Sequence, residues 1–226
     1  HGHELWKTNG TDIGTVMIDD INPNGDSYPS QLAVFNNELY FIADDGTHGV
    51  ELWKYNGVNS TSNYPIMIAD IYPGGGVSYP YELTVFNNEL YFRADDGIHG
   101  KELWKYDGVN APSMVADINT GTSNSLPDYL TVFKNELYFR ANDGTNREEL
   151  WKTDGTATGT VMVADIRSGI GGSSPTQLTV FNNELYFQAN DGSNGQELWK
   201  YDGTNAPSNV SYKNQRAHGT NPSEVT

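Results

Sequence analysis

A tetrapeptide that recurs along the whole chain constrains the fold more than any other feature. Glu-Leu-Trp-Lys occurs five times in 226 residues, and its successive tryptophans are 47, 51, 47 and 48 positions apart. These tryptophans are Trp6, Trp53, Trp104, Trp151 and Trp199. A fixed period of about 48 residues indicates a repeat architecture in which each repeat is one supersecondary unit. We therefore treat residues 1–226 as a single repeat domain.

Each period contains four segments with the pattern of β-strands. Residues 32–41, a block that occurs four times, hold two β-rich runs around Asn36-Asn37. Asparagine tolerates the positive φ angles of a two-residue type I′ turn, so the block predicts a hairpin with Leu32 opposite Phe41. The Glu-Leu-Trp-Lys segment and a block such as residues 16–21 add two further strands. No segment shows a convincing helical period.

Four strands per repeat predict an all-β fold: a β-propeller of four-stranded antiparallel blades. We expect the repeated tryptophan to pack between adjacent blades. The chain is about 14 residues shorter than five periods, which corresponds to one hairpin. This length predicts five blades with one incomplete, closed by strands from the two chain ends. The alternative is a fragment of a larger propeller array.

Charge and composition exclude several classes of partner. The formal net charge is −16, which opposes binding to nucleic acid or to anionic lipid. Cysteine is absent, so the chain has no disulfide framework, thiolate metal site or cysteine nucleophile. No run of about 18 apolar residues occurs, and residues 1–4 do not resemble a signal sequence. We therefore expect a soluble chain with no membrane insertion and no nucleic-acid partner.

One copy of the repeat continues in a more specific pattern. Asp154-Gly155-Thr156 follows Glu149-Leu150-Trp151-Lys152, and this combination resembles the bacterial ELWxxDGT repeat family of secreted and cell-surface proteins. The other copies depart from the pattern, for example at Asn9 and Asn56. The resemblance covers essentially the whole chain. It implies an extracellular or cell-surface repeat module and does not imply a reaction.

Acidic loops that follow the hairpins are candidate calcium sites. Clustered oxygen ligands in a glycine-containing loop suit a hard cation such as calcium. The candidate ligands are Asp44, Asp45, Asp95, Asp96, Asn142, Asp143, Asn190 and Asp191. The alternative is a purely structural turn, in which Asp or Asn accepts hydrogen bonds from its own backbone. Calcium is the one cofactor that the sequence suggests.

Histidines and glutamates at repeated positions favour structural roles. His1, His48 and His99 share one position with Asn146 and Asn194, and this exchange suits a loop hydrogen bond better than proton transfer. The repeated glutamates could form a ring of carboxylates, but glycosidic cleavage requires two carboxylates in different environments. Five copies in equivalent surroundings instead favour acceptors for turn amides or partners for lysines. These glutamates are Glu4, Glu51, Glu102, Glu149 and Glu197.

Near-identical loops favour binding over catalysis, because an enzyme needs several different groups around one substrate. Repeated weak sites give avidity, and tyrosines beside Asp and Asn are suited to contacts with sugars. We therefore expect a non-enzymatic extracellular binding or scaffold module that is multivalent and lectin-like. Tyr28, Tyr79 and Tyr129 are the candidate ligand-binding residues. The expected partner is a glycan or another cell-surface component.

Two alternatives belong to other function classes. The chain could be a structural subunit for cell-surface or filament assembly, and it would then self-associate. It could also be a propeller hydrolase or lyase. The best position for catalytic groups is then the place where the repeat pattern is lost, around Lys213, Arg216 and His218.

Overall fold

The computed structural model describes residues 2–58 and 65–210 and shows an all-β chain. Its strands lie in one two-stranded and four four-stranded antiparallel sheets. In chain order the strands are β1 (Trp6–Lys7), β2 (Val16–Met17), β3 (Ser30–Phe35), β4 (Glu38–Asp44), β5 (Val50–Tyr55), β6 (Ile66–Ala69), β7 (Tyr81–Phe86), β8 (Glu89–Asp95), β9 (Lys101–Tyr106), β10 (Ser113–Ala116), β11 (Asp128–Phe133), β12 (Glu136–Asn142), β13 (Glu148–Thr153), β14 (Val161–Ala164), β15 (Thr176–Phe181), β16 (Glu184–Asn190), β17 (Gln196–Tyr201) and β18 (Ser208–Asn209). Within these ranges no helix could span a lipid bilayer.

Each four-stranded sheet corresponds to one sequence repeat. Blade 1 is β3–β6, blade 2 is β7–β10, blade 3 is β11–β14 and blade 4 is β15–β18, and strands adjacent in sequence pair antiparallel in every blade. The β1–β2 sheet is the incomplete fifth unit. The predicted propeller of four-stranded blades, one of them incomplete, is confirmed. Residues 222–226, predicted to help close the ring, lie outside the described ranges, and no strand pairing joins the described sheets to one another.

The hairpin at the start of each blade is confirmed, with one difference in register. Asn36 and Asn37 have φ angles of 48° and 61°, as a type I′ turn requires. The predicted pairing of Leu32 with Phe41 is wrong, because Gln31 and Leu32 together face that single residue across a β-bulge. The same shift occurs at the first hairpin of every four-stranded blade. The bulge gives Gln31 a positive φ of 54° and turns it out of the regular strand alternation.

The first strands of neighbouring blades approach one another. Strand β3 contacts β7, β7 contacts β11 and β11 contacts β15, whereas the fourth strands make no comparable contacts. The first strand of each blade is therefore the innermost one, and the four inner strands surround the propeller axis. Side chains at corresponding positions of these strands are brought together from different repeats.

The hydrophobic core lies between the blades. The interface of blades 1 and 2 contains Phe35 and Leu52 from the first blade with Phe92 and Trp104 from the second. The other interfaces repeat this arrangement with Trp53, Trp151 and Trp199. The prediction that the tryptophan packs between adjacent blades is therefore correct for the four tryptophans of the complete blades.

The two ends of the blade array are exceptions. Trp6 is 56 % exposed because no described blade lies before the β1–β2 sheet. On the outer face of blade 4, Phe181 is 60 % exposed, whereas its counterpart Phe133 in blade 3 is 3 % exposed. Surface cavities of about 440 Å³ beside Leu198 and about 560 Å³ beside Trp6 lie at these two ends. The described blades thus form an open array with an uncovered apolar face on blade 4.

Candidate functional site

The blades have two different ends. At one end, which we call the turn end, the Asn-Asn and Lys-Asn turns join the first two strands. At the other, which we call the loop end, lie the acidic loops between the second and third strands and the connections between blades. The candidate calcium ligands and the three candidate tyrosines all belong to the loop end. This end therefore carries most of the residues that the sequence marks for function.

The acidic loops are closed by their own hydrogen bonds. Asp44 Oδ1 accepts a bond of 2.7 Å from the backbone N–H of Gly46. Asp45 Oδ1 accepts bonds of 2.8 Å from Thr47 N and His48 N. The loops at Asp95-Asp96, Asn142-Asp143 and Asn190-Asp191 repeat these bonds. In the described part of the chain, no group of three or more His, Cys, Asp or Glu side chains could hold a metal ion. The geometry thus favours the turn role, and calcium binding stays a prediction.

Histidine and asparagine can exchange at this position because both make the same hydrogen bond to the aspartate of the loop. His48 Nδ1 lies 2.7 Å from Asp45 Oδ2, and in blade 3 Asn146 Nδ2 donates to Asp143 Oδ2 at 2.8 Å. Either side chain can place a nitrogen at this point. The hydrogen bond to Asp45 raises the pKa of His48. The sequence-based interpretation as a loop hydrogen bond therefore agrees with the geometry.

Four of the repeated glutamates, Glu4, Glu51, Glu102 and Glu149, accept bonds from the connections between blades. Glu102 is fully buried, and its Oε2 accepts bonds from Ser125 Oγ at 2.6 Å and Ile118 N at 2.9 Å. Burial raises the pKa of Glu102 to about 7 and also raises the pKa of Glu51 and Glu149. These carboxylates hold turn amides, as predicted. The lysines of the repeat pair with a different set of glutamates, for example Lys54 with Glu38 at 3.0 Å.

The three candidate tyrosines do not form equivalent sites. Tyr28 is exposed and stacks on His3 with ring centroids 5.2 Å apart, and Tyr79 has Lys101 Nζ 5.3 Å from its ring centroid. These two occupy the same repeat position. Tyr129 instead lies at the inner-strand bulge, the position of Gln31 in blade 1. The structure therefore separates Tyr129 from the other two.

A charged cluster lies on the first and second strands of blades 2 and 3 at the loop end, and sequence reasoning missed it. Asp128 of β11 is the shared partner of two arginines: Arg93 Nη1 of blade 2 donates to Oδ1, and Arg140 Nη2 of blade 3 donates to Oδ2 at 2.5 Å. The Arg93 guanidinium lies 4.8 Å from the ring centroid of Tyr81, and that of Arg140 lies 5.1 Å from the ring centroid of Tyr129. We call Tyr81, Arg93, Asp128, Tyr129 and Arg140 the axial cluster.

The axial cluster breaks the symmetry of the repeat. The arginine position holds Ile42 in blade 1 and Gln188 in blade 4. The position of Asp128 holds serine in blade 1 and threonine in blade 4. A search for residues that recur in every repeat overlooks such a site. The available signal was the replacement of an apolar and an amide side chain by arginine at one strand position.

Hydrogen bonds from backbone N–H groups to side chains at the bulges join the inner strands beside the axial cluster. Gln31 Oε1 accepts a bond of 3.2 Å from Glu82 N, and Glu82 Oε2 accepts one of 3.2 Å from Leu130 N. Each bond joins one blade to the next. The side chains of Gln31 and Glu82, both at bulge positions, thus connect neighbouring repeats.

Comparisons with known proteins found matches among solved structures only. No family model matches the chain, and no curated protein matches it significantly. Among solved structures, a puromycin hydrolase aligns with a TM-score of 0.59 and 12 % identity over 88 % of this chain and 30 % of its own. A prolyl endopeptidase aligns with a TM-score of 0.53 and 13 % identity over 90 % of this chain and 29 % of its own. This chain therefore spans about a third of the length of these enzymes, and the shared part has the same propeller fold.

The similar structures correct the functional expectation. The expectation of a non-enzymatic, lectin-like binding module is contradicted, because the solved structures named above, which share this fold, are a puromycin hydrolase and a prolyl endopeptidase. The sequence argument rested on the loops, which are near copies of one another. The first two strands of the blades are not copies, and different groups meet there from two blades. The residues Lys213, Arg216 and His218, on which the hydrolase alternative depended, lie outside the described ranges.

Proposed function

We propose that this chain is the propeller portion of a hydrolase of the peptidase kind, and that its axial cluster contacts the substrate. The observation that carries the proposal is the alignment of 88 % of this chain with 30 % of a puromycin hydrolase. A second enzyme, a prolyl endopeptidase, aligns over a similar share. In prolyl endopeptidases, inter-domain dynamics have a role in catalysis and specificity.

The axial cluster is the best candidate for the contact with substrate. Substrate recognition needs several different groups around one ligand, and this cluster combines two cations, one carboxylate and two phenol rings. The arginine and aspartate side chains remain 15–22 % exposed, so part of the cluster is open to solvent. The rest of the loop end shows mainly repeated bonds that close turns.

Hydrolysis assays test this proposal. The natural protein that contains this chain is incubated with puromycin and with a fluorogenic prolyl peptide, and product release is followed by mass spectrometry and fluorescence. We expect turnover of at least one substrate. We also expect Arg140→Gln to lower kcat/KM about tenfold at an unchanged melting temperature, because blade 4 already folds with glutamine at this position. Absence of turnover with both substrates would contradict the proposal.

Membership of the ELWxxDGT family, an extracellular location, a glycan partner and self-association stay predictions. Localisation of the tagged protein tests the extracellular location, and sedimentation of the purified chain tests self-association.

A further inference from the structure

We propose that the axial cluster binds a free carboxylate, specifically the C-terminal carboxylate of a short peptide. This inference rests on the proposed function, since it names the chemical class of ligand that the same cluster would recognise. It depends on three observations: the hydrogen-bond donors of the two arginines, their absence from the flanking blades, and the arrangement of the two tyrosine rings.

The two arginines have more donors than Asp128 can satisfy. A guanidinium carries five N–H donors, and Asp128 accepts one bond from each arginine. The Nε atoms of both Arg93 and Arg140 are buried and have no hydrogen-bond partner among the described residues. Buried donors without acceptors are unfavourable. A ligand with two acceptor oxygens would therefore stabilise this arrangement.

The arginines are not needed to build a blade. Blades 1 and 4 form the same strand pairs with Ile42 and Gln188 at this position. A bridge between blades 2 and 3 would need only Arg93 and Asp128. The addition of Arg140 gives these three side chains a net charge of +1 in a chain whose formal charge is −16. A structural bridge alone does not account for that second cation.

The carboxylate of Glu82 lies on the neighbouring bulge, where its Oε2 accepts a bond from the backbone N–H of Leu130, and its charge offsets the +1 of the three side chains. The attraction for a carboxylate therefore depends on the N–H donors of the two guanidiniums and not on net charge. Asp128 accepts one bond from each guanidinium and so fixes their positions. It acts as a positioning residue for the arginines.

The tyrosine rings favour a carboxylate over a spherical anion. Tyr81 and Tyr129 lie beside the guanidiniums at 4.8 Å and 5.1 Å, which restricts how these planar groups can turn. Guanidinium forms paired hydrogen bonds with a carboxylate in one plane. The phenol rings can also pack against the residue that carries the carboxylate. A peptide C-terminus offers both the planar anion and an adjacent apolar group.

A pair of ligands that differ only in the terminal group tests the inference. Binding of N-acetyl-Gly-Pro and of its C-terminal amide to the 226-residue chain is measured by isothermal titration calorimetry. We expect the acid to bind at least about tenfold more tightly than the amide, because the amide lacks the charge and one acceptor. Added salt weakens binding of the acid.

Repeat-matched variants locate the site. Arg93→Ile and Arg140→Gln introduce the residues that blades 1 and 4 carry, and each should reduce binding of the acid about tenfold. The control is Arg147→Gly, which removes an exposed cation of the same loop end at a position where the other three blades have glycine. It should leave the affinity unchanged. If Arg93→Ile does not fold, Arg93→Gln replaces it.

Three results would overturn the inference: equal binding of acid and amide, an equal loss of affinity in Arg147→Gly, or displacement of the acid by inorganic phosphate at equal affinity. The last result would show a general anion site. Failure of this inference is distinguishable from failure of the proposed function. Turnover without preference for the acid refutes only the carboxylate site, whereas binding of the acid without turnover by the natural protein refutes only the hydrolase proposal.

Discussion

The buried carboxylate of Glu102 predicts that the protein loses stability as pH rises towards neutrality. Burial raises the pKa of Glu102 from 4.5 to about 7 in the folded chain, despite the bonds that Ser125 and Ile118 donate to it. A group with a raised folded pKa contributes stability below its unfolded pKa and loses it as pH rises through the folded pKa. The affected window therefore extends from about pH 4.5 to about pH 7.

The size of the effect follows from the two pKa values. Between pH 5 and pH 8, Glu102 alone removes about 2–3 kcal/mol from the free energy of unfolding. The raised pKa of His99, caused by its hydrogen bond to Asp96, acts in the same direction. Asp107 acts oppositely, because its bond from Asn110 lowers the pKa, so its contribution is lost only as pH falls below about 4. We expect maximum stability near pH 5.

Urea denaturation of the wild type and of Glu102→Gln at pH 5 and at pH 8 measures this change in stability. Glutamine removes the titration but also replaces an acceptor oxygen with an amide group, so the variant is about 1–3 kcal/mol less stable at pH 5. The stability that the variant loses between pH 5 and pH 8 should be smaller than the loss of the wild type by about 2–3 kcal/mol. Glu89→Gln, at a more exposed carboxylate in the same blade, is the control. Equal pH dependence of Glu102→Gln and the wild type would refute the reasoning.

Other substitutions test the interfaces and loops. Trp104→Ala should cost about 3 kcal/mol in urea denaturation because the indole packs between blades 1 and 2, whereas Trp6→Ala, at an exposed indole, should cost less than about 0.5 kcal/mol. An equal cost would contradict the interblade role. Millimolar calcium should leave the melting temperature unchanged, because both oxygens of Asp96 are engaged within its loop; a rise that Asp96→Asn abolishes would support the calcium hypothesis. Leu198→Ser on the uncovered face of blade 4 should reduce any concentration-dependent association seen by sedimentation, and association unaffected by this change would place the contact elsewhere.

Local sequence patterns were sufficient to predict the blades. The period of the tryptophans gives the repeat, and the Asn36-Asn37 pair gives the hairpin with its positive φ angles. Both signals act through near neighbours in the chain, so a single sequence reveals them. The packing of Trp104 between blades follows from the same repeat, because every unit must bury its face against the next.

The bulge on the inner strand could not be predicted in the same way. Gln31, Glu82, Tyr129 and Gln177 share this position and a positive φ, yet they include neither glycine nor asparagine. The positive φ follows from the β-bulge and not from a local residue preference, and at Gln31 and Glu82 it is accompanied by a bond between blades, from Glu82 N to Gln31 Oε1. Tyr129 lies at this bulge, whereas Tyr28 lies three residues before the bulge position of its own repeat, so the two tyrosines occupy different repeat positions.

Distance from the propeller axis explains why the candidate site arises where the repeats differ. Pairs such as Lys54 with Glu38 and Lys152 with Glu136 lie within one blade and recur in every complete blade, so they stabilise the unit itself. At the inner strands, neighbouring repeats lie close enough for Arg93 of one blade to reach Asp128 of the next. A substitution this close to the propeller axis changes the surroundings of side chains in two blades at once. Because blades fold with Ile42 or Gln188 at the same position, the strand next to the inner strand can acquire charged groups without loss of the fold.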